Sequence, residues 1–516
     1  MPERALPAQS ARPAKFSIRD SIVLAVVSLA AFFVHGFHPA AEDAAIYLPG
    51  IKKLLHPSLY PYNGEFFAAH AGRTQFPRLI AASIELTRLP FDWAILLWHV
   101  FSIFLLLLAC WKIAQHCFPQ RIAQWSAVLL VAATLTVPVA GTALFILDPY
   151  LNPRSLSAPA ILLALVNYLD ERYFRTVLWI ILTALIHPLM AVFGVAYLLT
   201  LWLPPRFLRL CSIKETKISA MALVPFGLML QSFSAGHAYR DALDIPAHSF
   251  FFLTRWQSYE WIGIFAPIAL LVIYRSLARK KSWRCLEQLS SALIFYGVVF
   301  FLAALVITIP KSMAAWVFLQ PMRSLHLLYI LFFLFTGGIL GEFVLRGQAW
   351  RWLALFLPLC GVMYFAQRRT FPASPHIEWP GVVPANDWLQ AFAWIRANTP
   401  EDAYFALDPD HMNAPGEDEH GFRALAERSM LADRVKDSGA VTMFPRMADE
   451  WRRQLQAQAG WNTFHQSDYE GLHQQFGPTW FVVAPNAGDG LTCLYKNPTL
   501  KICRLNQTRN ENTKKE

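Results

Sequence analysis

The sequence predicts a mostly α, polytopic membrane helical bundle carrying a small α/β or α+β domain at its C-terminal end. Three observations predict it. Hydrophobic residues make up 55% of the chain and charged residues only 16%, where a soluble domain carries about 25% charge. Long apolar runs recur between residues 20 and 366. The charge is also segregated: residues 1–371 hold 31 Lys/Arg against 16 Asp/Glu, and residues 372–516 hold 14 against 19. A mean hydropathy of +0.34 over a chain of this size exceeds what one soluble core can hide. That excludes a purely cytosolic enzyme, a disordered chain and a small disulfide scaffold.

A hydrocarbon slab of about 30 Å needs roughly 20 apolar residues in a helix. Spans are read near 20–37, 91–111, 122–140, 155–169, 218–233, 260–274, 289–309, 321–345 and 349–366. Residues 176–203 form one more apolar stretch, interrupted by His187-Pro188. Proline removes a backbone donor and breaks a helix. Two short helices meeting near His187 are therefore expected, giving about eleven passes; one long kinked helix is the alternative.

Lys/Arg asymmetry orients the bundle. Segments 1–20, 112–121, 170–175, 204–217, 275–284 and 346–351 hold 19 Lys/Arg, and the longer segments 38–90, 141–155, 234–258 and 310–323 hold only 10. The first set is expected inside and the second outside, with Arg368-Arg369 an exception. This places the N-terminus in the cytoplasm, the C-terminal domain outside (in the periplasm), and the bundle in the cell's inner, cytoplasmic membrane. The net charge of +10 thus marks inner loops and not a nucleic-acid surface.

Residues 1–19, rich in Pro, Ala and Arg, read as a disordered cytoplasmic N-terminus. The apolar run behind them lacks a small-x-small cleavage site and reads as an uncleaved anchor. The transmembrane domain covers 20–371. Its outer loop 38–90 carries Ile46, Tyr47, Ile51, Leu54 and Leu55 at helical spacing with Lys52-Lys53 opposite. That pattern suits a helix lying in the membrane interface, and 75–89 is a weaker case.

The extracytoplasmic domain covers 372–516 and opens with a linker marked by Pro380 and Pro384. Asn386 is expected to cap a helix over 387–398 that ends at Asn398-Thr399-Pro400. AYFAL, TWFVVA, LTCLYKN and LKICRL read as strands, the last two as a hairpin, with helices near 422–432, 445–458 and 468–476. The acidic loop DPDHMNAPGEDEHGFR (408–423) lacks calcium-loop spacing and reads as solvated. Cys493 and Cys503 would face each other across the hairpin. Outside the cell they can oxidise to a disulfide; two buried free thiols are the alternative. No CxxC, HExxH, phosphate-binding glycine motif or nucleophile elbow occurs.

Ionisable residues at membrane depth are costly and tend to be functional. On the expected outer face these are Glu42, Asp43, Asp148, Arg154, His187, Arg323 and His326. Acids, cations and a histidine on one face suit chemistry on a phosphate-linked lipid, since guanidinium forks match phosphate oxygens and a carboxylate activates a hydroxyl. Structural roles stay open for each. Glu42 and Asp43 suit a helix N-terminus, Asp148 a cap or a pair with Arg154, His187 an interhelical hydrogen bond, and Arg323 a snorkelling position.

A single entry span, an outer loop opening on Glu42-Asp43 with Tyr47 behind them, many short spans and an outer C-terminal domain resemble the GT-C superfamily of polytopic glycosyltransferases. NDWLQAFAWIRANTPEDAYFAL (386–407) is similar to the W-I-x-x-N-T-P-x-D-A stretch that opens the soluble domain of many such proteins. The resemblance implies an enzyme taking a sugar from a polyprenyl-phosphate-type carrier in the membrane lipid to an outer glycan, lipid or protein acceptor. It implies catalytic roles for Asp43 or Glu42 with Asp148, lipid-phosphate binding by Arg154 and Arg323, and His187 and His326 at the site edge. No cofactor is certain; any divalent cation would sit at Asp43 and Asp148. The WWDYG signature is absent, which disfavours protein N-glycosylation. A non-catalytic membrane assembly or scaffold protein with a partner-binding outer domain, or a lipid or glycan transporter, is the alternative.

Overall fold

A computed structural model describes residues 17–203 and 236–505. The expected span at 218–233 and residues 1–16 of the N-terminal segment lie outside the described residues. The chain divides into two units. The first is drawn from Met1–Phe37, Ile95–Ala235 and Ser249–Gln367, the second from His38–Ala94, Gly236–His248 and Arg368–Glu516.

The first unit is helical. Six helices of the described residues are long and apolar enough to cross a membrane: Ile18–His35, Phe91–Cys117, Ser258–Lys280, Arg284–Thr308, Trp316–Leu345 and Ala349–Thr370. Shorter apolar helices span Arg121–Ala133, Tyr173–Ile186 and Pro188–Trp202, and a buried one spans Pro153–Leu169. The chain breaks at His187, as its proline predicts. His187 leaves the helical region (φ −153°, ψ 92°), ends one helix and starts the next. Pro188, at the first helical position, has no N–H to leave unsatisfied. At about 1.5 Å per residue each piece is shorter than the hydrocarbon slab.

The expected span 122–140 is corrected: its helix stops at Ala133. Residues 134–152 are a buried, non-helical segment closed on itself, with Val139 N–H donating to the Leu144 carbonyl at 2.8 Å and Leu147 N–H to that of Leu135 at 2.8 Å. Apolar composition cannot separate a helix from a buried irregular segment, and such backbone survives only where the protein satisfies its polar groups. Helix Leu325–Leu340 approaches the short helix Arg121–Ala133 closely. A Cβ on Gly338 would lie 2.1 Å from the Phe118 ring, and one on Gly337 2.6 Å from the Ser126 carbonyl oxygen. Small residues at such crossings let backbones meet.

The second unit is built on a five-stranded mixed sheet, order β2-β1-β3-β5-β4. The strands are β1 (Tyr404–Leu407), β2 (Ser429–Met430), β3 (Trp480–Val483), β4 (Leu491–Lys496) and β5 (Lys501–Leu505). β1 is parallel to β2 and β3; β3–β5 and β4–β5 are antiparallel. Side chains alternate across the sheet. Phe405, Leu407, Trp480, Val482 and Ile502 pack with Phe392, Ile395 and Phe422 on one face. Tyr404, Phe481 and Val483 pack with Trp461, Tyr469 and Leu472 on the other. Asn386 caps its helix as expected, accepting from the backbone of Trp388 and Leu389. The expected helix 422–432 is shorter, Phe422–Ala426, because Ser429–Met430 is drawn into the sheet beside β1.

Cys493 and Cys503 are cross-strand partners joined by a disulfide. Closing a loop of this size restricts the unfolded chain by about 3 kcal/mol. Urea unfolding of a Cys493→Ser/Cys503→Ser variant is expected to show that loss, and reductant to destabilise the wild type but not the variant.

Two expectations for the second unit are corrected. Helix Ala44–Leu55 is buried from Ala44 to Lys52, and Lys52 donates to the Ala424 carbonyl at 2.7 Å and the Glu427 carboxylate at 2.7 Å. Ile46, Tyr47 and Ile51 of its apolar stripe and Lys52 opposite them are all buried, while Leu54 of the stripe is exposed. The loop 408–423 is not solvated; His411, Glu417, Asp418 and His420 are buried. The Asp418 carboxylate accepts from the backbone of Ala373 (2.9 Å) and Ser374 (2.7 Å), and Asn386 donates to the Gly416 carbonyl at 2.7 Å. Hydrogen bonds made at long range remove the cost of burying polar groups.

His411 records that burial. Desolvation lowers its pKa from 6.5 to about 4. The unfolded chain therefore takes up a proton near pH 6.5 that the folded chain refuses until about pH 4. Stability is then expected to fall as pH drops through that window, by up to about 3 kcal/mol. A His411→Gln variant should flatten the acid limb of a plot of unfolding free energy against pH.

Candidate functional site

Five of the seven ionisable residues singled out in the sequence fall into two clusters, one in each unit. In the second unit Glu42 and Asp43 stand immediately before helix Ala44–Leu55. Their backbone is held by the acidic loop: Glu42 N–H donates to the Glu419 carbonyl at 2.9 Å, Gly421 N–H to that of Ala40 at 3.0 Å, and Ala41 bridges His420 in antiparallel fashion. Glu42 (φ 51°), Asp418 (φ 59°) and Glu419 (φ 59°) all take left-handed conformations. Three side-chain-bearing residues in that region at one junction cost of order 1–3 kcal/mol each and mark a conformation imposed by its surroundings.

Lys436 faces this acid pair. It opens helix Lys436–Met443, whose first amides donate to the Asp433 carboxylate: Lys436 N–H at 2.6 Å and Asp437 N–H at 3.1 Å. Its ammonium bonds the Glu42 carboxylate and lies 3.7 Å from Asp43 Oδ1. The Lys436 side chain is 13% exposed, Glu42 36% and Asp43 30%, so the carboxylates stay accessible while the cation is enclosed.

Burial works against ionisation of Glu42, but the Lys436 charge and a hydrogen bond with Glu419 hold its carboxyl below the usual range. Burial, then the hydrogen bond to Glu42 and its negative charge, push Glu419 up to about 9. Burial also opposes the charge on Lys436, but Glu42 and Asp43 raise it above an ordinary lysine. At neutral pH Glu42 is thus a carboxylate, Lys436 an ammonium and Glu419 a carboxylic acid that donates to Glu42. The cluster can take up, hold or pass a proton.

A divalent cation does not fit Glu42 and Asp43 in this arrangement, because the Lys436 ammonium already lies against both carboxylates. Asp148 is likewise engaged. No step is assigned to a metal there.

In the first unit Asp148, Arg154 and His326 come together. Arg154 Nη2 donates to Asp148 Oδ2 at 3.0 Å, and Asn152 Nδ2 donates to the same oxygen at 2.7 Å. Asn152 Oδ1 in turn accepts from Ser155 N–H at 3.2 Å, capping helix Pro153–Leu169. His326 Nε2 donates to the Ile146 carbonyl at 2.9 Å, within electrostatic reach of both ions. Asp148 and Arg154 are both buried, so each screens the other. Arg323 is half-buried, its guanidinium 4.9 Å from the centre of the Phe250 ring. His187 Nδ1 accepts from Met190 N–H at 3.5 Å and so caps its own helix.

Glu419 and Lys436 were not singled out in the sequence. Glu419 lies in the acidic loop read as solvated, and nothing local distinguishes Lys436 from other surface lysines. The signal that places them is a pairing between residues 40–42 and 419–421, which no local pattern carries.

Comparison with curated proteins finds no match. Residues 386–457, which include Glu419, Asp433 and Lys436, match a family described as "Domain of unknown function (DUF6798)". Among solved structures, the chain is similar to the oligosaccharyltransferase of Archaeoglobus fulgidus tethered with an acceptor peptide containing the NVT sequon. The identity is 12% and the TM-score 0.44, covering 90% of this chain and 68% of that one. It is also similar to the arabinofuranosyltransferase AftD from Mycobacteria, at 16% identity and a TM-score of 0.33. That match covers 95% of this chain but spans only 40% of AftD.

Proposed function

We propose that this protein is an integral glycosyltransferase of the inner membrane that moves a sugar from a polyprenyl-phosphate-type carrier to an extracytoplasmic acceptor. The observation that carries this reading is the acid pair Glu42–Asp43, partly exposed behind the first apolar helix and held beside the Lys436 ammonium. The sequence resemblance to GT-C enzymes supports it. The Cys493–Cys503 disulfide suits an oxidising compartment for the second unit.

In the proposed inverting reaction Asp43 takes the proton of the acceptor hydroxyl as that oxygen bonds the anomeric carbon. The bond from that carbon to the carrier phosphate breaks, and its electron pair leaves with the phosphate. Lys436 and Glu42 keep Asp43 in place and balance its charge.

Comparing lipid-linked saccharides and surface glycans of cells with and without the protein tests the reading. Accumulation of a carrier-linked sugar and loss of a glycan are expected when it is missing. Unchanged pools of both would overturn the proposal.

One observation favours a second reading. Lys436 engages Glu42 and Asp43, and Arg154 engages Asp148. Such pairs also suit a non-catalytic assembly protein in which the acids fasten segments together.

A further inference from the structure

Three residues of the second unit, distant in sequence, converge on one point. His38 follows the first apolar helix, Glu378 lies in the segment after the last, and His420 ends the buried acidic loop. Glu378 Oε1 is 2.8 Å from His38 Nδ1 and 2.8 Å from His420 Nε2. One ligand atom from each residue lies within 4.8 Å of the others. The side chains are nearly closed to solvent: His38 is 1% exposed, His420 0% and Glu378 12%.

Proton accounting at this point is awkward for a simple hydrogen-bonded triad. His420 Nδ1 lies 2.9 Å from the Glu417 carbonyl oxygen. A carbonyl only accepts, so Nδ1 carries the hydrogen. In a neutral ring Nε2 is then a bare lone pair, aimed at a carboxylate oxygen that is also an acceptor. The contact needs positive charge between the two atoms, either a second proton on His420 or a cation. On the other ring, His38 Nε2 is buried with no hydrogen-bond partner among the described residues.

The donor set is two imidazole nitrogens and a carboxylate, which zinc takes in its open, three-ligand sites. The Nδ1–H bond from His420 to the Glu417 carbonyl is the outer-shell contact that fixes a metal-binding tautomer. Zinc at about 2.0–2.2 Å from each ligand atom needs the atoms about 3.3 Å apart. Small side-chain adjustments about the present distances supply that spacing.

We propose that His38, Glu378 and His420 form a binding site for a divalent transition-metal ion, zinc by its donor set, that fastens the first loop to the linker and the acidic loop. This site is separate from Glu42–Asp43 and does not rest on the glycosyltransferase reading. Its place in the chain gives it a positioning role: His38 lies four residues before Glu42, and His420 directly follows Glu419.

The test uses the purified full chain in detergent, stripped with chelator and titrated with Zn²⁺ against a chromogenic competitor. One zinc per chain and a raised melting temperature are expected. Co²⁺ should give the d–d absorption of a low-coordinate nitrogen and oxygen site. His420→Ala should weaken binding by more than about tenfold. Glu378→Gln keeps the shape and can still hydrogen-bond both rings, so it separates metal binding from folding; it should fold yet bind zinc at least about tenfold more weakly. His56→Ala, at an exposed position, should bind as the wild type. Substoichiometric zinc with no melting shift in the wild type, or unchanged affinity in Glu378→Gln, would overturn the proposal.

Discussion

Replacing Asp43 by Asn is expected to slow sugar transfer by about 10²–10⁴-fold while leaving the protein folded. Asn has the size of Asp and keeps a polar group at the head of helix Ala44–Leu55, but it cannot accept the acceptor's proton. The structural cost should be small. Asp43 is 30% exposed and lies 3.7 Å from Lys436, a loose contact beside the direct bond Lys436 makes to Glu42. The measurement is turnover of a polyprenyl-linked sugar by the purified protein, with melting temperature recorded in parallel. Lost turnover with an unchanged melt supports the base role. Full turnover in the variant would remove Asp43 from the chemistry, and unchanged glycans in cells carrying it would favour the assembly reading.

Replacing Arg423 by Met is expected to cost about 3–5 kcal/mol of stability in the second unit. Arg423 is buried and forms a two-pronged pair with Asp437, Nη1–Oδ1 at 2.8 Å and Nη2–Oδ2 at 2.9 Å, with Asp433 3.8 Å away. Its carbonyl accepts from the Tyr60 hydroxyl at 2.8 Å, so the same helix turn also holds the first loop. Burial, moderated by Arg423, already raises Asp437 to about 6. Without Arg423 the acid is pushed higher still, so at neutral pH it must either stay charged without a partner or take up a proton, both at a cost to the fold. The loss should therefore be smaller at pH 5, where Asp437 keeps its proton. A double variant, Arg423→Met with Asp437→Leu, should recover part of the loss, because the acid paired directly with Arg423 is removed with it and the remaining Asp433 carboxylate is still held by the Lys436 and Asp437 amides. Urea unfolding of the full chain at pH 5 and pH 7.5 checks all three statements.

The residues were unequally legible, and the reason is the range over which each signal acts. The break at His187-Pro188 shows in sequence because proline acts on its own turn. The Asn386 cap and the facing of Cys493 and Cys503 follow from spacing across a few residues. The span read at 122–140 failed at Ala133 because hydropathy alone does not report whether buried backbone is helical. Lys52, expected opposite the apolar stripe of an interfacial helix, reaches Glu427 and the Ala424 carbonyl, 375 and 372 positions away.

The sequence by itself determined the class of this protein: apolar helices that suit a lipid solvent, and a small α/β or α+β domain with four of its five strands, its first cap and its terminal hairpin. These features depend on composition, helical or strand periodicity and a handful of neighbours. It also marked Glu42 and Asp43 as unusual by their position. Only the tertiary structure decided what faces them. Lys436 and Glu419 meet the acid pair, and Glu378 lies between His38 and His420, through contacts closed over more than three hundred residues in the first case and each of His38's. Such contacts leave no periodicity or motif, because the chain need only place one polar group opposite another at folding. The burial that then shifts their proton affinities exists only once the fold has excluded water.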